Sequence, residues 1–303
     1  MLDGARIFHV NINCADLARS RTFYVDGCGL TDGVRTTPDD TQPGVAFGLG
    51  QARWDAWILV GAAGFDGGAV DLLEWKEPRP CGTAPQALNE RGLQRIGLLV
   101  SDLDAAIASA CAHGGVVWSE PRSHELPDGG VVRLVMMSDP DGVAVELIEG
   151  DVSGVSFVSV TCGELERSVA FYTALGFREL ARFPSAAESG LHLRVDGPVA
   201  MVEVLMRAPA RSDVHLMLVG FDQPAVRPSA TRSANELGIW RAALLLPKLD
   251  AAVSALRDAG IELLSDPQSM SMGAGLPELR FVCFRGPDNE VIELIEQPSS
   301  PSG

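Results

Sequence analysis

The chain has 303 residues, of which 46% are hydrophobic and 21% are charged, a balance typical of a globular protein rather than a disordered or fibrous one. Its formal net charge of −16 disfavours binding to nucleic acid, because the affinity of proteins for nucleic acid comes largely from Lys and Arg. The apolar runs are shorter than the roughly 18 residues that span a bilayer, and the N-terminal residues lack a secretory signal pattern. We therefore expect a cytoplasmic protein of about two domains, with no membrane partner.

One sequence pattern recurs four times, and each copy begins with alternating apolar and polar residues. Aligned on a shared leucine, the copies cover residues 9–17, 95–103, 157–165 and 241–249. Alternation with a period of two predicts a strand with one buried face. A helix is predicted after each strand, with Asp16 as the N-cap of the first helix and Gly260 ending the fourth.

Short strand-like runs separated by turn residues follow each predicted helix. In the second copy, Val131–Met136 and Val143–Ile148 flank the turn Asp139–Gly142. The fourth copy repeats this arrangement, with a turn at Gly286–Asn289 before its last strand. Each module is therefore predicted to have the order β-α-β-β-β.

The repeats are of two alternating kinds. Copies one and three share the motif Arg-Ser-x-x-Phe-Tyr, at Arg19–Tyr24 and Arg167–Tyr172. Copies two and four share the turn and an ending in Glu-Leu-Ile-Glu. This indicates a tandem duplication of a two-module unit, and it predicts two domains. The first is 1–150, with modules about 6–75 and 94–149, and the second is 151–303, with modules about 155–220 and 238–297.

These motifs resemble the vicinal oxygen chelate superfamily, which includes glyoxalase I, extradiol dioxygenases and bleomycin-resistance proteins. The resemblance is strongest at His9–Tyr24, Ser168–Phe177 and Asp139–Glu149. It implies an α+β fold in which four βαβββ modules pair into two curved mixed-sheet (half-barrel) domains. It does not imply one reaction, because a single fold hosts many chemistries.

The resemblance also implies where metal ligands would lie, at the first residue of the first strand and at an acidic residue of the last strand. The first-strand positions here are His9, Arg95, Phe157 and Arg241. The last-strand positions are Asp71, Glu146, His215 and Glu293. Arginine is permanently protonated and cannot bind a metal, so Arg95–Glu146 and Arg241–Glu293 are predicted to form internal ion pairs. Extradiol cleavage is disfavoured, because its Fe(II) site needs two His and one Glu in the second half.

Two pairings of the modules remain open at this point. If each half closes on itself, His9, Asp71 and Glu146 form a set of ligands for a divalent metal. If the modules pair crosswise, His9 and Asp71 instead meet Arg241 and Glu293. The other cleft then holds Arg95, Glu146, Phe157 and His215.

Two functions follow from the resemblance. The first is a small-molecule enzyme of the glyoxalase-like lyase or isomerase type, with Glu146 or Glu293 as the base beside a carbonyl. A divalent metal, or Arg95 or Arg241 in its place, would stabilise the enolate oxygen. The alternative is a metal-free protein of the bleomycin-resistance type that sequesters a drug or metabolite. The expected partner is a small molecule, no nucleotide cofactor is expected, and a monomer or a homodimer is compatible with four modules.

Overall fold

Each of the four repeats folds as a strand, a helix and further strands, as the sequence predicts. The computed structural model describes residues 1–125, 129–273 and 275–298. Module one contains β1 (Arg6–Asn13), α1 (Leu17–Thr22), β2 (Thr31–Thr36), β3 (Gln42–Pro43), β4 (Gln51–Gly61) and β5 (Gly64–Glu77). Module two contains β6 (Gly92–Val100), α2 (Leu103–Ala112), β7 (Val116–Val117), β8 (Arg122–Glu125), β9 (Val131–Ser138) and β10 (Ala144–Glu149).

The second half repeats this order. Module three contains β11 (Gly154–Cys162), α3 (Leu165–Leu175), β12 (Arg178–Ala187), β13 (Val199–Arg207) and β14 (His215–Gln223). Module four contains β15 (Gly238–Leu246), α4 (Leu249–Asp258), β16 (Gln268–Met270), β17 (Leu279–Arg285) and β18 (Val291–Glu296). None of the helices in these described ranges is long and apolar enough to cross a membrane, and the cytoplasmic location stays a prediction.

The strands form two mixed sheets, and each sheet joins one module from each half of the chain. The first sheet has the order β16-β17-β18-β15-β1-β5-β4-β2, so modules one and four share it. The second has the order β12-β13-β14-β11-β6-β10-β9-β7, which joins modules two and three. The modules meet through antiparallel pairs, β1 with β15 and β11 with β6. Of the two pairings left open by the sequence, the crosswise one is present, so both sheets cross the predicted boundary at residue 150.

The modules of each half remain joined through their helices. Ser20 in α1 donates a hydrogen bond of 2.9 Å to Asp141, in the turn of module two. The hydroxyl of Tyr24 donates to Asp139 in the same turn, at 3.0 Å. The same bonds recur in the second half, from Ser168 to Asp288 at 2.6 Å and from Tyr172 to Glu290 at 2.7 Å. The repeated Ser and Tyr of the sequence motif are therefore structural residues, and they join the helix of one module to the turn of the next.

The first two helices each begin with an aspartate as the N-cap. The carboxylate of Asp16 accepts a bond from the Arg19 amide, as predicted, and Asp102 does the same for Ala105. An N-cap of this kind satisfies one of the free amides that begin a helix.

The two faces of each sheet have different surroundings. The largest apolar cluster includes Val10 and Ile12 from the first sheet together with Ile96 and Val158 from the second. The other face of the first sheet carries an aromatic cluster with Trp54, Trp75 and Phe281 among its members. Because strand residues alternate in direction, His9 and Asn11 lie on the opposite face of β1 from Val10 and Ile12. This alternation directs the candidate site residues away from the main core.

Candidate functional site

Strand pairing in the first sheet brings together four of the residues predicted from the sequence. Asn11 of β1 lies opposite both Asp71 of β5 and Arg241 of β15. Glu293 of β18 is in register with Ala243, two residues after Arg241. Side chains two residues apart share a strand face, so His9, Asp71, Arg241 and Glu293 point to one place. We call these four residues the charged cluster.

Arg241 is the centre of the charged cluster. Its Nη2 donates to Asp71 Oδ2 at 2.7 Å, and its Nε donates to Glu293 Oε2 at 2.8 Å. The Nε2 atom of His9 lies 3.3 Å from Glu293 Oε2 and 3.8 Å from Asp71 Oδ2. All four residues are at most 5% exposed, so the ion pairs are shielded from water. The predicted Arg241–Glu293 ion pair is therefore present, with Asp71 as a second partner of the arginine.

The contacts within the cluster fix its protonation. Burial alone would raise the pKa of Glu293, but the neighbouring Arg241 and His9 lower it to about 2. Burial would lower the pKa of Arg241, and the carboxylates of Glu293 and Asp71 outweigh this and raise it. The cluster therefore holds a charged arginine beside the ionised carboxylate of Glu293 at neutral pH.

The charged cluster lines a cavity of about 490 Å³ whose walls are mainly apolar. Aromatic and aliphatic side chains from modules one and four form most of the lining: Phe8, Val34, Phe47, Trp54, Ile58, Phe65, Leu73, Leu245 and Phe281. Ligand sites of small molecules have this character, with an apolar wall and a few convergent polar groups. We call this space the first-sheet cavity.

Three polar atoms of the cluster lack a hydrogen-bond partner among the described residues, and one of them is Nε2 of His9. The other two are Nη1 of Arg241 and Nδ1 of His9, and all three are buried. A buried polar atom without a partner costs about 1–3 kcal/mol, so such atoms are sites where a ligand group or water is expected to bind.

The charged cluster does not fit a divalent metal. The guanidinium of Arg241 contacts both carboxylates, so the oxygens that would bind a cation already bind a fixed positive charge. Within the ranges that the structure describes, no group of three or more His, Cys, Asp or Glu residues is arranged to hold a metal ion.

The residues predicted as a metal set are not brought together. Glu146 lies on β10 of the second sheet, whereas His9 and Asp71 lie in the first. This placement follows from the crosswise pairing, because β10 pairs with β6 and not with a strand of module one.

The second sheet contains the equivalent ion pair in a different setting. Nε of Arg95 lies 3.0 Å from Glu146 Oε2, as the sequence predicts, and Nη2 of Arg95 donates to Glu203 of β13. Phe157 replaces the histidine, and its ring lies 5.2 Å from the guanidinium carbon of Arg95. The ring packs over Gly97, where a Cβ atom would come within 2.3 Å of it.

This second ion pair has packed apolar side chains on one side and two further titratable neighbours, Arg122 and His192. Phe157 belongs to a buried cluster that includes Met136, Met201 and Met217. His215 lies beside Phe157 on β14, and burial lowers its pKa, with Asp213 and Arg207 as its charged neighbours. The two sheets therefore differ at the first-strand position, where the first has His9 beside a cavity and the second has Phe157 packed among apolar side chains.

Sequence reasoning missed Glu203 and most of the cavity wall. Glu203 lies on β13, outside the first-strand and last-strand positions that the repeats align. The wall residues come from two modules more than 200 residues apart, as with Trp54 and Phe281. Their aromatic character is visible in the sequence, but their convergence is a result of the crosswise pairing.

The chain is an α+β protein of four βαβββ modules, with a charged cluster on the paired strands of one sheet. Comparison with known proteins identifies its family. The family model of the Glyoxalase/Bleomycin resistance protein/Dioxygenase superfamily matches residues 6–147 and again residues 154–294. The chain belongs to this superfamily, which confirms the resemblance drawn from the sequence motifs.

Solved structures support the same fold. Glyoxalase I from Zea mays is similar with a TM-score of 0.65 and 18% identity, covering 97% of this chain and 93% of that one. A putative dioxygenase from Bacillus subtilis subsp. subtilis str. 168 is similar with a TM-score of 0.63 and 12% identity, covering 99% of this chain and 87% of that one. A search of curated proteins found no match. Identities this low show the shared fold alone.

Proposed function

We propose that the protein binds a small, mainly hydrophobic molecule in the first-sheet cavity, with one polar group of that molecule against the charged cluster. The observation that carries this proposal is an apolar cavity of about 490 Å³ with four buried charged or titratable residues in its lining. A cavity of this size is in the range of pockets that hold small organic ligands.

The polar end of the ligand follows from the unpaired atoms of the cluster. Nη1 of Arg241 is a donor, so it favours a carbonyl or similar acceptor on the ligand. Asp71 and Glu293 already accept bonds from Arg241, and a ligand carboxylate placed beside them would be repelled. A neutral carbonyl compound with an aromatic body fits both requirements.

The charge of Arg241 makes the binding independent of a divalent metal. A metal at this place would have to displace a guanidinium that two buried carboxylates hold. Breaking a buried ion pair costs about 3–5 kcal/mol, which opposes such a displacement. The binding function therefore corresponds to the metal-free alternative derived from the sequence.

A second candidate is proton transfer beside a carbonyl, as in a lyase or isomerase. The observation that favours it is the buried imidazole of His9, which lies next to Glu293 and has an unpaired Nδ1. Glu293 itself is poorly suited as a base, because its pKa of about 2 is far from neutral pH. In this candidate His9 moves the proton, Glu293 orients the imidazole, and Arg241 stabilises the enolate oxygen.

The binding proposal is tested with Nile red, a flat neutral dye that carries a carbonyl oxygen and fluoresces in apolar surroundings. We expect saturable binding of about one equivalent to the wild-type protein, and at least tenfold weaker binding by the Leu245→Trp variant, which fills the cavity. The matched control is Leu99→Trp, at the equivalent position of the second sheet. Unchanged binding by Leu245→Trp, or equal weakening by Leu99→Trp, would contradict the proposal.

The proton-transfer candidate is tested with acetophenone in D₂O, followed by NMR. We expect the wild-type protein to accelerate exchange of the methyl protons, and the His9→Gln variant to lose at least tenfold of this acceleration. Equal acceleration by the His9→Gln variant would show that His9 does not transfer the proton. No acceleration by the wild-type protein would contradict the proton-transfer candidate. If Nile red still binds, binding is then the supported function.

A further inference from the structure

A second, polar pocket of about 350 Å³ lies where the two linkers between modules meet. It is lined by residues of 83–94 and 228–240, which run from the linkers into the first residues of β6 and β15, and by residues of 285–291, between β17 and β18. The linkers are hydrogen-bonded to each other, with the amide of Arg91 on the carbonyl of Arg227 at 3.0 Å. We call this space the junction pocket, and it shares no lining residue with the first-sheet cavity.

Three arginines line the junction pocket, and their charges are unequally compensated. Arg232 pairs with Glu236 at 3.3 Å, and Nε of Arg91 lies 3.6 Å from Asp288 Oδ1. Arg285 is half-buried and donates to the carbonyl of Asn289 at 3.0 Å. No ion pair of Arg285 is found among the described residues, and burial lowers its pKa.

The carboxylates of the junction pocket are occupied by contacts that hold the fold together. Asp288 accepts bonds from the Gly163 amide at 2.7 Å and from Ser168 at 2.6 Å. Glu290 accepts from the Tyr172 hydroxyl at 2.7 Å and from the Asp288 amide at 2.8 Å. Glu90 pairs with Arg227 at 2.8 Å. Apart from the contacts of Glu236 with Arg232 and of Asp288 with Arg91, these acids contact groups other than the three arginines.

The unpaired polar atoms of the lining residues are mostly donors. Nε of Arg91, Nη1 of Arg232 and Nε1 of Trp240 are buried and have no hydrogen-bond partner in the part of the chain that the structure describes. Oε1 of Gln94, an acceptor, is also buried and without a hydrogen-bond partner among the described residues. Three donors against one acceptor favour a ligand that supplies several acceptor oxygens.

We propose that the junction pocket binds the carboxylate or phosphate group of a small metabolite, with Arg285 and Arg91 as its cationic contacts. Planar guanidinium groups recognise both kinds of oxyanion through paired N–H donors. The volume of about 350 Å³ exceeds that of an inorganic anion, so a short organic chain can accompany the anionic group.

Calorimetric titration with inorganic phosphate and with succinate, in a chloride buffer, tests this proposal. We expect saturable binding of about one equivalent of at least one of the two, and the preferred probe distinguishes a phosphate site from a carboxylate site. The Arg285→Gln variant is expected to bind the preferred probe at least tenfold more weakly, and Arg285→Lys to bind with an intermediate affinity.

The matched control is Arg257→Gln, which removes an exposed arginine of α4 that pairs with Asp266 outside the pocket. This variant loses the same charge at a place outside the pocket, so it is expected to bind like the wild type. Binding of neither probe by the wild type would overturn the proposal. Equal binding by wild type and Arg285→Gln, or equal weakening by Arg257→Gln, would also overturn it. Thermal unfolding of each variant verifies that the fold is kept.

Discussion

Arg241 decides the chemistry of the first-sheet cavity at the scale of single residues. It stands at a position where the superfamily resemblance implies a metal ligand, and it supplies a fixed positive charge there instead. Its two carboxylate partners, Asp71 and Glu293, compensate this charge in a buried setting. One residue therefore accounts for both the predicted ion pair and the poor fit of the site for a metal.

The change Arg241→His is expected to create a divalent-metal site. It removes the fixed charge and adds a second imidazole beside two buried carboxylates, a ligand set that suits Zn²⁺ or Ni²⁺. Titration calorimetry with Zn²⁺ and elemental analysis should find about one equivalent in this variant and none in the wild type. The control is Arg95→His in the second sheet, where Phe157 has no lone pair to offer. Equal metal binding by both variants would contradict this assignment.

At the scale of elements, the repeated helix-to-turn contacts carry buried acids. Burial raises the pKa of Asp139 from 3.8 to about 7, and it raises that of Glu290 from 4.5 to about 7. Each acid accepts a hydrogen bond from the tyrosine of the preceding module. Both halves therefore have a tyrosine bonded to a buried acid, although Asp139 is at the start of its turn and Glu290 follows the end of the equivalent turn.

These raised pKa values make stability depend on pH. A group with a raised folded-state pKa contributes stability that is complete below its unfolded pKa and is lost as the pH rises through its folded pKa. For Asp139 and Glu290 the loss falls between about pH 4 and pH 8, and amounts to on the order of 3 kcal/mol per group.

The double variant Asp139→Asn/Glu290→Gln should therefore gain stability relative to the wild type as the pH rises through this interval. Urea unfolding at several pH values measures the difference, with the exposed Glu262→Gln as the control. A difference in unfolding free energy that stays constant with pH would contradict the raised pKa values.

At the scale of the whole molecule, the two halves of the chain interlock. The sheets join modules one with four and two with three, whereas the Ser and Tyr contacts join one with two and three with four. Every module is thus bonded to a partner in each half. The chain builds both sheets from its own four modules, and no second copy is needed to complete them.

This interlocking predicts that neither half folds alone. Expressed separately, residues 1–150 and 151–303 should each lack cooperative unfolding, because the central strands β1 and β6 would expose edges that β15 and β11 cover. Co-expression should restore a complex with the circular dichroism spectrum of the full chain. A half that unfolds cooperatively as a monomer would show that modules one and two, or three and four, are able to pair within one half.

The sequence by itself determined the modules, their order and most of their strands and helices. Apolar periodicity, the Asp16 cap and the turns at Asp139–Gly142 and Gly286–Asn289 act over a few residues, so local pattern was sufficient to locate them. The ion pairs of Arg241 with Glu293 and of Arg95 with Glu146 were also predictable, because each lies within one module on adjacent parallel strands.

Only the tertiary structure decided which modules share a sheet. Modules one to four present first strands of similar pattern, so local sequence does not distinguish pairing within a half from pairing across halves. The choice depends on how the complete apolar faces pack, and it decides whether His9 meets Glu146 or Arg241. The predicted metal set is not assembled, and the charged cluster with its cavity is formed, by contacts between modules one and four, such as that of Asp71 with Arg241 across 170 positions, which no local pattern encodes.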